Sequence, residues 1–265
     1  MEWASLSLSK MSEINKNYLS QNEFDVSGLR LSIVPVGLVS AGDAEVETDF
    51  NLAYDYFKKT WSKILSHIVD DSAYKAESLF CCHYLLTIFD RENVVAQLAT
   101  RFVNLNFNIH ADTVYMKDFA GEPLQYIQNS GCKKIMSLEW NSVNPRYSRR
   151  RTGLPFVEVS MLLATRLAQM FSADACIGLP RRMTGVNEVT KTIGFHAIGE
   201  PKIKYNCPID TVVGLINNFT AHSEPEVETI INKLWSERVF LMNCFNQEKP
   251  KQMENKYELR DASAF

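Results

Sequence analysis

The sequence predicts a mixed α/β (α+β) domain: one mixed sheet flanked by helices, with a further helix near the C-terminal end. Three observations carry this. Two β-rich runs, SLFCCHYLLTIFD (78–90) and NVVAQLATRFVNLN (93–106), meet at DREN and read as a hairpin. The strand-like CKKIMSLEWNSV (132–143), a long amphipathic stretch and the strand-like DACIGL (174–179) form a strand–helix–strand crossover. Broad apolar stripes at helical spacing occur in both halves of the chain.

Taken in order, residues 1–24 are polar and aperiodic and form an arm. LRLSIVPVGL (29–38) places Leu29, Leu31 and Ile33 on one face of a first strand. Asp43 caps a helix to about Val69, striped by Phe50, Leu52, Tyr54, Phe57, Trp61, Ile64, Leu65 and Ile68. After the hairpin, ADTVYMKDF and EPLQYIQNSG predict short helices, with Asp112 as a cap and Gly131 as a stop. In the strand 132–143, alternation puts Ile135, Ser137, Glu139 and Asn141 on one face, with Met136, Leu138, Trp140 and Val143 mostly on the other.

The crossover helix carries Val159, Leu162, Leu163, Leu167, Met170 and Phe171 at spacings of three and four. MTGVNEVTKTI is a helix ended by Gly194. Residues 195–217 read as strand, turn and strand, with a helix over DTVVGLINNF, capped by Asp210, as the alternative. Pro225 opens a helix whose stripe, from Val227 and Ile231 to Phe245, is too wide to stay exposed. Either the sheet or the second subunit of a homodimer must cover it. The organisation expected is an arm 1–24, one domain 25–222, a helix 223–246 and a polar, disordered tail 247–265.

The totals narrow the function. With 265 residues the chain can bury a large core. A formal net charge of −3 gives no global basic field, so nucleic acid is not an expected partner. Six cysteines include no C-x-x-C pair and several lie in apolar runs, as expected of free thiols in the cytoplasm. The N-terminal residues lack the pattern of a signal peptide, and no apolar run is long enough for a transmembrane helix. Five scattered histidines show no metal-ligand spacing. Cys81 or Cys82 with His83 is a poor acyl-enzyme pair, because adjacent strand residues face opposite ways.

The most informative stretch is NPRYSRRRTGLPF (144–156), a basic turn with a glycine before a long helix. Helix N-termini offer unpaired amides and the positive end of the macrodipole, which suit a phosphate. Arg149, Arg150 and Arg151 add charged donors there, Gly153 permits close approach, and Pro155 removes one amide. Arginine triplets are usually solvated surface, and that is the competing reading.

Three passages in this order resemble the GNAT superfamily of N-acyltransferases. SLEWNSVNPRYSRRRTGL looks like that family's central strand and pyrophosphate loop, Gln/Arg-x-x-Gly-x-Gly/Ala, matched here by Arg150 and Gly153 but not at Pro155. NPRYSRR, following Val143, resembles its V-x-P-x-Y/F-R run, and NEVTKTIGFHAIGE its last core helix and closing GF turn. The resemblance spans about residues 77–206. It implies splayed parallel strands holding an acyl thioester donor, either acyl-CoA or an acyl group on a carrier protein's phosphopantetheine, and no metal. Val143, Arg149, Arg150, Arg151, Thr152, Gly153 and Leu154 would contact that donor. A small-molecule amine would accept the acyl group.

Amine transfer needs a base, and Glu139 is the only carboxylate inside the central strand. Pairing with an arginine is the competing role for Glu139; His83 and His110 are secondary candidates. Two departures stand out: the Tyr that many relatives carry four residues before the closing Gly is Thr190, and the Asn seven residues earlier is Met183. The branch making acyl-homoserine lactones and long-chain N-acyl amino acids lacks both. A GNAT-like module that binds CoA or a protein without turnover is the alternative function.

Overall fold

The computed structural model describes residues 24–36, 44–66 and 76–240. The proposed cap Asp43, the arm before Phe24 and the tail after 240 lie outside them. Ten strands and nine α-helices are present among the described residues: β1 (Leu29–Pro35), α1 (Ala44–Ser66), α2 (Ala76–Phe80), β2 (Tyr84–Asp90), β3 (Asn93–Asn104), α3 (Asn108–Ala111), α4 (Val114–Lys117), α5 (Glu122–Asn129), β4 (Lys134–Val143), α6 (Arg149–Thr152), α7 (Phe156–Met170), β5 (Ala175–Gly178), α8 (Val186–Thr192), β6 (His196–Ala197), β7 (Lys202–Lys204), β8 (Cys207–Ile209), β9 (Val212–Leu215), α9 (Pro225–Ser236) and β10 (Val239–Phe240). Eight strands form one mixed sheet in the order β10-β1-β2-β3-β4-β5-β9-β6, and β7–β8 is a separate hairpin.

The expected hairpin is β2–β3, and the crossover β4–α7–β5 joins two parallel strands. Two layers cover the sheet. One face packs on α7 and α9 through Leu98, Met136, Leu163, Leu167 and Ile231. The other meets α1 through Phe57 and Trp61, and α4 and α5 through Met116 and Ile127.

Several local expectations are corrected. Thr113, not Asp112, caps α4, its hydroxyl accepting from Met116 N, while Asp112 closes α3. Residues 212–215 are the strand β9, as the strand–turn–strand reading expects, and the alternative helix from Asp210 is the one that fails. The C-terminal helix ends at Ser236, and the chain then adds β10 in parallel to β1. Val227, Ile231 and Leu234 are buried in this chain's own core, so α9 is covered from within.

A larger correction concerns β4. Opposite β3, Gln97 pairs with Ser142 and Ala99 with Glu139, leaving Leu98 to face both Trp140 and Asn141. This is a β-bulge, and Trp140 takes a left-handed φ of 56° to make it. Alternation therefore breaks. Trp140 falls on the α1 face with Glu139, its ring 4.9 Å from Trp61 and 5.5 Å from Phe57. Asn141 turns to the α7 face, where its Oδ1 accepts from Ser160 Oγ at 3.1 Å. The polar row expected of Ser137, Glu139 and Asn141 stops at Glu139.

Gly214 of β9 lies under the Phe195–Phe219 ring pair, and a Cβ there would meet Phe219 Cζ at 2.4 Å and Phe195 Cδ1 at 3.0 Å. Gly214→Ala is expected to lower stability by about 1–3 kcal/mol through overpacking. A denaturant midpoint unchanged from wild type would show that Phe219 swings aside freely.

Candidate active site

The site begins where β4 and β5 part. Their parallel ladder runs from Ile135↔Ala175 to Leu138↔Gly178 and ends. Two local causes separate the strands. The Trp140 bulge bends β4, and β5 runs into Pro180, which has no N–H for a ladder. Pro180 O instead accepts from Asp210 N at 3.0 Å, and Arg181 bridges to Ile209. The parted strands open a cleft of about 890 Å³, walled by β4, the start of α7, α1 and the chain after β5.

The cleft's charge is one-sided. Lys59, Lys63, Arg146 and Arg181 line it, and no carboxylate does among the described residues. A chain of net charge −3 thus presents a locally basic groove. Val143 lines the cleft, as do Asn144, Pro145 and Arg146 of the following turn.

The residues Arg149 to Leu154 do not line it. Arg149 is committed elsewhere, with Nη2 2.8 Å from Glu224 Oε1 and Nη1 3.6 Å from Glu158 Oε1. Glu158 in turn accepts from His222 Nε2 at 2.8 Å, which ties the starts of α7 and α9 together. Arg150 and Arg151 are exposed on the short helix α6. Gly153, at φ 77°, closes that helix, its N–H donating to Arg149 O, and Leu154 N donates to Thr152 Oγ1.

A second cavity, of about 300 Å³, lies on the α1 face beside Glu139. It shares Trp61, Leu138, Trp140, Leu179 and Arg181 with the cleft, so the two meet where the strands part. Glu139 is 9% exposed at its side chain. Its Oε1 accepts from Ser137 Oγ at 2.6 Å, and its Oε2 from Arg101 Nη2 at 3.3 Å. Burial raises the Glu139 carboxyl above the ordinary carboxylate range, against the opposing pull of Arg101 and Ser137. Glu139 thus pairs with an arginine, its competing role, and also lines a cavity.

Arg101 comes from β3 and stacks over Tyr115, 5.2 Å from the ring centre. Sequence reading missed it, although an arginine at the end of an otherwise apolar strand was the available signal. Lys204 and Tyr205 reach the same cavity from the β7–β8 hairpin, and Lys204 pairs with Asp118. The remaining candidates serve the backbone. His83 Nδ1 accepts from Phe102 N at 2.7 Å, and His110 Nδ1 from Asn104 N at 2.8 Å. Cys82 is buried, and burial drives its thiol pKa up, away from thiolate chemistry. Thr190 lines the cleft, but its hydroxyl donates to Asn187 O at 2.7 Å, and Met183 is exposed. Among the described residues no group of three or more His, Cys, Asp or Glu could hold a metal, and no helix is long and apolar enough to cross a membrane.

No protein-family model and no curated protein matches the chain. Solved structures do. FeeM, an N-acyl amino acid synthase from uncultured soil microbes, aligns at 12% identity over 72% of this chain and 93% of its own, with a TM-score of 0.46. The CoA-dependent acyl-homoserine lactone synthase BjaI aligns at 10% identity over 80% and 93%, with a TM-score of 0.48. A Drosophila melanogaster polyamine N-acetyltransferase aligns at 11% identity over 71% and 99%, with a TM-score of 0.45.

Proposed function

We propose that the protein is an N-acyltransferase that moves an acyl group from a thioester donor in the β4–β5 cleft to a small-molecule amine in the Glu139 cavity. One observation carries the reading: a long basic groove and a smaller chamber with a buried carboxylate meet where the strands part. The groove suits an extended anionic donor such as CoA or phosphopantetheine. The chamber suits an acceptor whose ammonium proton must be taken before attack. Glu139 takes that proton, directly or through water, and its raised pKa brings it nearer to the amine it must deprotonate. Proximity at the shared wall supplies the rest. The described cysteines are free thiols, consistent with action in the cytoplasm.

Donor binding tests the groove. Arg146→Glu reverses a cation at the cleft and should weaken CoA binding about tenfold in calorimetry, with the difference shrinking at high salt. Arg150→Ala should change it little, by less than about 1 kcal/mol, because Arg150 is exposed and lies outside the cleft lining. Equal CoA affinity in all three proteins would remove the donor from this cleft. Running the same titration with phosphopantetheinylated carrier protein separates the two donor forms.

A binding module without turnover is the second reading, and one observation favours it. The Thr190 hydroxyl is spent on the backbone, so no acid stands at that place for a leaving thiolate.

A further inference from the structure

Resting on the acyl-transfer reading, a second group at the shared wall has a role that Glu139 cannot fill. Five residues line both chambers: Trp61, Leu138, Trp140, Leu179 and Arg181. Only Arg181 is charged. Its guanidinium is half-buried and lies 5.3 Å from the Trp61 ring centre. No hydrogen bond or ion pair engages its side chain among the described residues, in contrast to Arg101, Arg149 and Arg182, each of which has a carboxylate partner. Trp61 Nε1 and Trp140 Nε1 are likewise buried without partners. Those indole nitrogens are closed off from both chambers, so Arg181 is the donor that the shared wall offers to negative charge appearing during reaction.

The backbone of Arg181 is fixed for such a task. It bridges to Ile209, and its carbonyl accepts from Thr184 Oγ1 at 2.9 Å. The next residue, Arg182, holds the buried Asp210 carboxylate at 2.7 Å, and Asn187 holds the other oxygen at 3.2 Å. Arg182 thus carries the structural charge, and Arg181 is left free.

We propose that Arg181 is a catalytic residue that stabilises the thiolate as it leaves. The amine nitrogen attacks the thioester carbon, and the C=O pair moves onto oxygen. That pair then re-forms the carbonyl as the C–S bond breaks, leaving both bonding electrons on sulfur. Glu139 first passes the ammonium proton to solvent; after attack the nitrogen's second proton goes to Glu139 and from there, through solvent, to the thiolate, so that amide, free thiol and one released proton are the products. The guanidinium meets the sulfur's charge at the wall between the chambers and takes over the task that a proton-donating side chain would otherwise perform.

The test is a leaving-group series. Acyl-CoA and an acyl ester of a more acidic arylthiol are compared in wild type, Arg181→Met and Arg181→Lys. With acyl-CoA, Arg181→Met should lower kcat about 10²-fold at saturating donor, well beyond the few-fold loss of CoA affinity that removing one groove cation brings, with acceptor KM unchanged, and Arg181→Lys should recover part of the kcat loss. With the arylthiol ester the wild-type to Met ratio should fall at least tenfold, because that thiolate leaves unaided. A ratio independent of the leaving group overturns the proposal, as does a raised acceptor KM with kcat intact, which would make Arg181 an acceptor anchor. Wild type provides a check without any variant: its rate should depend only weakly on thiol acidity, and a steep dependence overturns the proposal. No thiol release from wild type with any donor overturns the acyl-transfer reading and this inference together, whereas the variant series can overturn the inference alone.

Discussion

Glu139→Gln is expected to keep the fold and CoA affinity while lowering kcat by about 10²-fold or more at neutral pH. Gln preserves the shape and its one oxygen still accepts from Ser137, while its amide nitrogen faces Arg101 as a donor, and it cannot take a proton. The loss should shrink as pH rises, because the amine then arrives deprotonated. Wild type should lose activity on the acid side at a pH above the ordinary carboxylate range, because burial raises the pKa of Glu139 and the protonated form is no base. That acid limb should vanish in Glu139→Gln. Stability runs the other way. A carboxyl whose pKa is raised in the fold contributes stability that is fully present below the unfolded value and lost as pH rises through the folded one. Thermal melts of wild type should show that decline and those of Glu139→Gln should not. Equal turnover by both proteins across the range would make Glu139 a structural partner of Arg101.

A chain ending at His222 should fail to fold. It loses α9 and β10, and with them Val227, Ile231 and Leu234, each buried against α7 or β1. At about 1.5–3 kcal/mol per buried side chain, the three together rival the net stability of a typical domain. The truncation also strips Glu224 from Arg149 and Glu228 from Arg166. Ile231→Ala, a milder probe, should cost about 2–5 kcal/mol. Urea unfolding measures both. A soluble truncated monomer with an unaltered melting temperature would show that α9 is an appendage.

The hairpin, the crossover and the buried face of α9 were legible because each rests on a repeating pattern that local sequence displays. Glu139 was legible for a related reason, as a lone carboxylate in an apolar strand. The bulge was not: neither Gly nor Pro marks it, and a bulky Trp140 at positive φ is the residue least expected there. One inserted residue was enough to move Asn141 to the opposite face. Arg101 meets Glu139 only through the register of β3 on β4, and Arg149 meets Glu224 across 75 positions of chain. Such pairings are set by the fold, and no short window contains them. Arg181 and Arg182 stand side by side in the sequence, and only Asp210 distinguishes the braced arginine from the free one.

On the proposed function, the chamber beside Glu139 and the basic cleft cooperate in acyl transfer. Mass spectrometry of purified protein incubated with acyl-CoA donors of several chain lengths and a panel of small amines tests it most directly, with free thiol measured alongside. Thiol release that depends on the amine, equimolar amide of the matching mass, and loss of both in Glu139→Gln are expected. Saturable CoA binding with no amide from any pair, and thiol release no faster than in buffer, would contradict it.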